Sequence, residues 1–277
     1  MRVAYLGTTA FAAGILEHLA DGPHRPVLVV TRPDRPAGRG RRLSAPPVAD
    51  AARALGLPLD QPESVNGEEA RARVTAAEPD VVVVCAFGAL IREPLLSERP
   101  ILNVHPSLLP RWRGAAPVER AIMAGDRETG VCIMRLTAGL DEGPVCLRGR
   151  EPIAPEDTYG TLAARLEQLG AGLLRQALDA GPSGWRWEEQ PDDGVTYAEK
   201  IGPADRTLDP AAPAVEQERV VRALAPHIGA RLELADGALL GVRGARVGEG
   251  GALELVEVQP PGGRPMTYAD YARGRGA

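Results

Sequence analysis

The stretch DVVVVCAF, residues 80–87, constrains the fold more than any other part of the chain, because it places four valines in succession. A strand with one face in water alternates apolar and polar side chains, whereas a strand covered on both faces is apolar throughout. The unbroken run therefore predicts a parallel strand in the interior of an α/β sheet. The apolar run ends at Ile91 after eleven residues, which is too few to span a bilayer, so we expect no membrane partner.

Strand patterns and helix patterns alternate on both sides of this run. The alternation predicts a doubly wound α/β fold whose central sheet is mainly parallel. The last helix of the series is the longest, with Asp157 or Thr158 as its N-cap and Gly181 at its end. The strand patterns cover residues 2–7, 26–31, 80–87, 101–105 and 129–137, and the helical patterns cover 10–20, 46–56, 70–79, 116–125 and 157–181.

The chain changes character after Gly181. Residues 185–206 are rich in Pro, Gly and Asp without a sustained period, which is typical of a linker. Beyond them, one helical stretch at 214–225 precedes three short strand patterns separated by glycine-containing turns. We therefore predict a first domain over residues 1–184, a linker over 185–206 and a small β-rich domain over 207–277.

The net charge, the cysteines and a missing glycine motif argue against several classes of protein. The chain of 277 residues has a net charge of −5, so its overall charge does not favour nucleic acid. Its three cysteines form no CxxC pair and no metal-ligand spacing, which fits a reducing cytoplasm. The segment GTTAFAAG after the first strand lacks the GxGxxG pattern, which excludes a dinucleotide fingerprint.

Two polar side chains, Asn103 and His105, end the apolar stretch ILNVH. Residues two apart on a strand point to the same face, and open α/β sheets bind ligands at the carboxyl ends of their parallel strands. Pro106 keeps His105 out of the helical region and ends the strand there. Such a pair is either a hydrogen-bonded structural pair or a set of donors in an active site.

An acidic residue, Asp141, lies in the stretch TAGLDEGPV, directly after a strand pattern. Gly139 and Gly143 flank it and allow a tight turn and a close backbone approach. An acid in such a turn is either a turn-forming residue or a carboxylate that orients an imidazole and holds its proton.

A basic loop lies at residues 32–48, where five arginines and one aspartate, Asp34, give a net charge of +4. Proline and glycine are frequent in this loop, so we expect neither helix nor sheet there. In an acidic chain, the loop is either a phosphate-binding finger or a solvated loop.

Together these stretches resemble one family. NVHPSLLPRWRGAAP from Asn103, GLDEG around Asp141, RPDRPAGRGRRL in the basic loop and VTYAEKI at 195–201 are similar to methionyl-tRNA formyltransferases. NxHPSLLP with a downstream aspartate marks the wider folate-dependent formyltransferase superfamily, and PRWRGAAP with PDRPAGRG narrows the resemblance to the tRNA enzymes. The resemblance covers nearly the whole chain and implies a Rossmann-like catalytic domain, a linker and a C-terminal OB-type barrel.

The resemblance also implies a reaction and a set of residues. It implies transfer of a formyl group from 10-formyltetrahydrofolate to the α-amino group of methionyl-initiator tRNA, by a cytoplasmic monomer that uses no metal. The expected catalytic residues are Asn103, His105 and Asp141; the expected folate-binding residues are Ser107, Leu108, Leu109, Pro110, Phe87, Gly88 and Leu90; and the expected tRNA-binding residues are Arg39, Arg41 and Arg42.

The C-terminal part departs from the family pattern. Between the strand patterns that end at Val247 and begin at Ala252 only GEGG remains, so the OB-like domain can be incomplete. Residues 205–277 carry nine arginines and ten acids, a net charge of −1, although a tRNA-binding barrel is expected to be basic. Two alternatives stay open: a formyltransferase acting on a small amine, such as a nucleotide-linked amino sugar or glycinamide ribotide, and an inactive module that binds folate or tRNA.

Overall fold

The structure is a computed structural model that describes residues 1–37 and 42–275. The chain divides into two compact units. Unit 1 comprises Met1–Ala115, Gly130–Glu151 and Ala164–Tyr197, and unit 2 comprises Ala116–Thr129, Pro152–Ala163 and Ala198–Ala277. The domain boundaries after residues 184 and 206 remain a prediction.

The order of strands and helices follows the predicted alternation. The strands are β1 (Val3–Gly7), β2 (Pro26–Val30), β3 (Arg35–Ala37), β4 (Arg42–Ser44), β5 (Leu59–Asp60), β6 (Val81–Cys85), β7 (Ile101–His105), β8 (Arg113–Gly114), β9 (Glu128–Arg135), β10 (Val145–Pro152), β11 (Tyr197–Ala198), β12 (Ala230–Glu233), β13 (Leu239–Val247), β14 (Leu253–Gln259) and β15 (Met266–Thr267). The helices are α1 (Ala10–Ala20), α2 (Pro47–Ala54), α3 (Glu68–Ala76), α4 (Leu95–Glu98), α5 (Pro117–Ala124), α6 (Tyr159–Gly184), α7 (Pro203–Arg206), α8 (Ala214–Leu224) and α9 (Tyr268–Arg275). None of the helices in the described part of the chain is long and apolar enough to cross a membrane.

The central sheet has seven strands in the order β10-β9-β7-β6-β1-β2-β5. The strands from β7 to β5 pair in parallel, and β9 pairs antiparallel with β7. All five residues of β6 are buried, as expected for an apolar run covered on both faces. The prediction of a mainly parallel α/β sheet is therefore confirmed.

The long helix α6 begins and ends where its sequence predicts. The Thr158 hydroxyl accepts a hydrogen bond from the backbone N–H of Thr161, which satisfies one of the free donors of the first turn. The regular helix ends at Gly181, whose φ of 64° is tolerated by glycine, and a short helical turn beyond this kink extends the element to Gly184.

The flanks of the basic loop form a short hairpin, so the expectation of no sheet in this loop is wrong. β3 pairs antiparallel with β4, and Pro36 lies opposite Leu43. A ribbon of two strands has a free edge on each side, where the missing N–H of proline leaves the pairing intact. Arg39 and Arg41 lie outside the described residues, and of Arg42 only the backbone is described.

Unit 2 contains the predicted β-rich region. Strands β12 to β15 form an antiparallel sheet in chain order, and α8 packs on it through Val221 and Leu224 with Ala230 and Val242 in the same core. An OB fold is a five-stranded Greek-key barrel, whereas the described residues give four strands that each pair with the next. The antiparallel region is confirmed, and the OB-type barrel stays a prediction.

Candidate active site

Asn103 and His105 are among the last three residues of β7, and both side chains lie close to Asp141. Asn103 Nδ2 donates to Asp141 Oδ1 at 3.2 Å, and His105 Nδ1 lies 3.6 Å from Asp141 Oδ2. The three side chains are nearly or mostly buried, with the Asp141 side chain 13% exposed. The structure therefore brings the three predicted catalytic residues together in one cluster within unit 1.

Asp141 reaches this cluster because its loop folds back over the sheet. β9 runs antiparallel to β7, so its carboxyl end lies beside the start of β7, where Leu136 N donates to Ile101 O at 3.0 Å. The loop must then return toward His105 before β10 begins. Asp141 takes φ 47° in this loop, and a Cβ on Gly143 would stand 2.0 Å from the Arg135 carbonyl oxygen, so only glycine fits there.

The tautomer of His105 follows from its partners. Nε2 of His105 lies 2.9 Å from the Trp112 carbonyl oxygen, which only accepts hydrogen bonds. Nε2 therefore carries the proton, and in the neutral imidazole Nδ1 presents a lone pair on the side of Asp141. Trp112 has φ 65°, and its own N–H donates to Thr196 Oγ1 at 2.9 Å, which holds its carbonyl in place.

The Asp141 carboxylate is held from a second side by the backbone. Gly114 N donates to Asp141 Oδ2 at 2.9 Å, from a glycine with φ 122°. Together with Asn103, this donor holds the carboxylate in a fixed orientation. The arrangement can hold a proton on an imidazole, and Asn103 retains a second N–H that can donate to a reacting oxygen.

The predicted folate-binding residues lie around this cluster with different exposure. Ser107 is fully buried and donates to the Arg111 carbonyl at 2.6 Å, and Leu109 packs in the core. Phe87 is also buried, and its carbonyl oxygen accepts from Thr8 Oγ1 at 2.7 Å. Leu90, by contrast, is 66% exposed.

The loop that carries Phe87, Gly88 and Leu90 follows β6, and β6 pairs in parallel with β7. It therefore lies at the same edge of the sheet as His105. Gly88 has φ 73° there, which permits the turn after the strand, and Leu108 and Pro110 are half-buried.

The thiol nearest to the histidine in strand register is not a nucleophile. Cys132 on β9 pairs with His105, and burial raises the pKa of its thiol to about 11. At neutral pH this thiol stays protonated and unreactive. In residues 1–37 and 42–275, no cluster of three or more His, Cys, Asp and Glu side chains is arranged to hold a metal ion.

Four functional positions are not among the predicted site residues: Trp112, Gly114, Thr196 and Gln190. The first three nevertheless lie within the motif stretches PRWRGAAP and VTYAEKI. The first two act through backbone atoms, which any residue type provides, although the left-handed φ of Gly114 favours glycine. Thr196 and Gln190 lie in the stretch that composition assigns to a linker. A side-chain amide in an aperiodic segment carries no pattern that distinguishes it from a surface residue.

A groove in unit 2 forms a second candidate surface, which is lined by five arginines and by the acidic residues Glu156, Glu218 and Asp126. It consists of two adjoining depressions of about 440 and 410 Å³ that share Arg222 and Arg246. Arg219 lies against Gly125 and, like Arg127, has no acidic partner among the described residues. We call this surface the arginine groove; its arginines are Arg127, Arg219, Arg222, Arg243 and Arg246.

Comparison with known proteins decides the family. Residues 1–178 match the family model described as formyl transferase. The methionyl-tRNA formyltransferase of Halorhodospira halophila is 45% identical over 99% of this chain and 96% of its own length. The chain belongs to the methionyl-tRNA formyltransferase family. The resemblance of its motifs to that family is thereby confirmed.

Solved structures show that this chain shares its fold with a sugar N-formyltransferase and with HypX. A sugar N-formyltransferase from a Shewanella species superposes with a TM-score of 0.66 at 18% identity, covering 88% of this chain and 96% of its own. HypX from Aquifex aeolicus, solved in complex with tetrahydrofolic acid, gives 0.70 at 15% identity and covers 98% of this chain but 47% of its own. At these identities the likeness concerns the fold alone.

Proposed function

We propose that this enzyme transfers the formyl group of 10-formyltetrahydrofolate to the α-amino group of methionyl-initiator tRNA. The observation that carries the proposal is the cluster of Asn103, His105 and Asp141, with the carboxylate held by two donors beside an imidazole. Support for the substrate comes from relatives that are named methionyl-tRNA formyltransferase and that align with nearly the whole chain.

Attack of an amine on a formyl carbonyl places negative charge on the carbonyl oxygen. A donor aimed at that oxygen stabilises the transition state more than the ground state. One N–H of Asn103 is engaged by Asp141, and its other N–H is the donor that we assign to this oxygen. His105 is not assigned this role, because its Nε2–H donates to the Trp112 carbonyl.

His105 is the group to which we assign the proton of the attacking amine. Its free lone pair is on Nδ1, and the imidazolium that forms there lies 3.6 Å from the carboxylate of Asp141. Opposite charges attract at this distance, so we assign to Asp141 the role of orienting the imidazolium and facing its positive charge. The same proton can then pass from Nδ1 to the folate nitrogen as the bond between that nitrogen and the formyl carbon breaks.

The folate co-substrate supplies the formyl group. We assign its binding to Phe87, Gly88 and Leu90 after β6 and to the segment 107–110 after β7. The exposed side chain of Leu90 offers apolar surface, whereas the buried side chains of Phe87, Ser107 and Leu109 fix the backbone from which contacts are made.

The acceptor tRNA is the partner to which we assign the two basic surfaces. Arg39, Arg41 and Arg42 in the basic loop are assigned to the acceptor stem, because this segment is positive in a chain of net charge −5. The arginine groove of unit 2 is assigned to a supporting contact with phosphates. We further propose that the enzyme acts as a monomer in the cytoplasm, where its aminoacyl-tRNA substrate is made.

A formylation assay with competing acceptors tests the proposed function. Purified protein is incubated with 10-formyltetrahydrofolate and, in parallel, with methionyl-initiator tRNA, methionyl-elongator tRNA and a nucleotide-linked amino sugar. We expect formyl transfer to methionyl-initiator tRNA with a kcat/KM at least about 100-fold above that for the sugar, because the few phosphates of a nucleotide-linked sugar cannot replace the many phosphate contacts of a tRNA. A higher kcat/KM for the amino sugar would overturn the assignment.

A further inference from the structure

Gln190 forms a side-chain connection between the two loops that surround Asp141. Its Nε2 donates to the carbonyl oxygens of Asp141 at 2.7 Å and Gly143 at 2.8 Å. Its Oε1 accepts from Arg113 Nε at 3.0 Å and from Arg113 Nη2 at 2.8 Å. Both N–H groups and both lone pairs of this half-buried amide are therefore engaged.

These partners leave one orientation for the amide. Carbonyl oxygens only accept hydrogen bonds and a guanidinium only donates them, so a flipped amide would oppose oxygen with oxygen and N–H with N–H. A charged side chain could not satisfy both loops in the same way, because a carboxylate lacks the two donors and an ammonium lacks the acceptor.

The two loops held by Gln190 are those that fix the Asp141 carboxylate. One loop contains Asp141 itself, at φ 47°, a conformation that costs a non-glycine residue energy unless its surroundings hold it. The other loop contains Arg113, whose neighbour Gly114 donates its backbone N–H to Asp141 Oδ2. Gln190 thus holds the backbone carbonyl of Asp141 directly. Through Arg113 it also holds the segment from which the Gly114 N–H donates to the Asp141 carboxylate.

We infer that Gln190 is a positioning residue for formyl transfer, which keeps the Asp141 carboxylate within reach of His105 Nδ1. The inference rests on the proposed function and goes beyond it, because Gln190 touches neither substrate nor reacting atom in the assigned roles. Displacement of a catalytic group by about 1 Å costs on the order of 100-fold in rate, although substrate contacts are unchanged. Loss of Gln190 should therefore lower kcat and spare KM.

The first test replaces Gln190 by methionine, which has a similar length and none of the four hydrogen bonds. We expect kcat to fall about 10- to 100-fold with KM for both substrates changed less than about threefold. Gln217→Met is the matched control, since Gln217 is also a buried amide that donates to a carbonyl, that of Ala212, in unit 2. Gln190→Glu keeps the acceptor for Arg113 and removes both donors, so its kcat should fall like that of Gln190→Met.

The second test asks whether Gln190 acts through Asp141. If it does, adding Gln190→Met to Asp141→Asn should lower kcat by less than about twofold, because the carboxylate to be positioned is already absent. Independent effects would multiply instead, and multiplication would overturn the inference. So would a wild-type kcat in folded Gln190→Met and Gln190→Glu.

A readout without turnover separates this inference from the proposed function. Amide hydrogen exchange at Gly114 reports its bond to Asp141 Oδ2, and we expect faster exchange in Gln190→Met than in the wild type or Gln217→Met. If the wild type forms no formyl-methionyl-tRNA, the proposed function is wrong, whatever the exchange shows. Unchanged exchange at Gly114 with an active wild type would reject the positioning role alone.

Discussion

The cluster around Asp141 and the arginine groove of unit 2 differ in the burial of their polar groups and in how firmly hydrogen bonds hold them. Around Asp141 the polar atoms are mostly buried, and backbone N–H groups, carbonyls and amides already hold them at 2.7–3.2 Å. In the groove, Arg219 has no acidic partner within the described residues, and Arg246 is 73% exposed although its Nε lies 2.7 Å from Glu254 Oε2. Bond-making needs groups that are placed before the substrate arrives, whereas attraction of phosphates depends mainly on the number of charges.

The largest effect should come from removing the imidazole. We expect His105→Ala to lower kcat by about 100- to 10 000-fold, because the proton of the attacking amine then has no acceptor next to Asp141. Steady-state formylation of methionyl-initiator tRNA measures it, with His227→Ala as the matched histidine control on unit 2. His227 contacts Glu119 and Tyr159 outside the cluster, so this variant should keep its kcat. A folded His105→Ala protein with near-normal kcat would show that the cluster is structural.

A smaller effect should follow from removing the basic loop arginines. Replacing Arg39, Arg41 and Arg42 together by alanine should raise KM for tRNA about tenfold and leave KM for folate unchanged. The plot of log affinity against log salt should flatten by about 0.7–0.9 per lost phosphate contact. The triple lysine variant is the control, since it keeps the charges. If the alanine variant retains wild-type affinity and salt slope, the loop is only a solvated hairpin.

The smallest effect should come from the arginine groove. Arg219→Ala combined with Arg243→Ala should raise KM for tRNA by about threefold or less, because residues 205–277 carry a net charge of −1 and offer little long-range attraction. Arg264→Ala, outside the groove, serves as the control in the same binding assay. An increase above that of the basic loop variant would reverse the ranking and make the groove the main tRNA contact.

The elements of the fold could be predicted because each has a local period. The valine run gave a buried strand, and Thr158 and Gly181 bounded α6 as their chemistry requires. The direction of β9 could not be predicted, since an apolar run has the same pattern in either direction. The hairpin that flanks the basic loop contradicts the expectation of no sheet there, because each strand of a two-stranded ribbon has a free edge at which proline leaves the pairing intact.

In the candidate site, too, some residues could be predicted from the sequence and others could not. Asn103, His105 and Asp141 could be singled out because their residue types and spacing carry chemical meaning, and the structure brings them together. The Trp112 carbonyl and the Gly114 N–H could not, because backbone atoms have no residue signature. Their positions depend on contacts with Thr196 and Gln190, more than 70 residues later in the chain.

The returning loop between β9 and β10 also determines which changes of chain length the enzyme tolerates. A connection between antiparallel strands at the surface is normally a place where insertions and deletions are accepted. Here the length of the loop at residues 136–144 is constrained. The loop leaves the sheet beside Ile101, and it must be long enough to place Asp141 next to His105. One residue more or less changes the reach by roughly 3.3–3.6 Å, as much as the whole gap between Nδ1 and Oδ2. Variants with a longer or shorter loop should fold but show no formyl transfer. The glycine turn at 248–251, by contrast, should accept inserted residues without loss of activity.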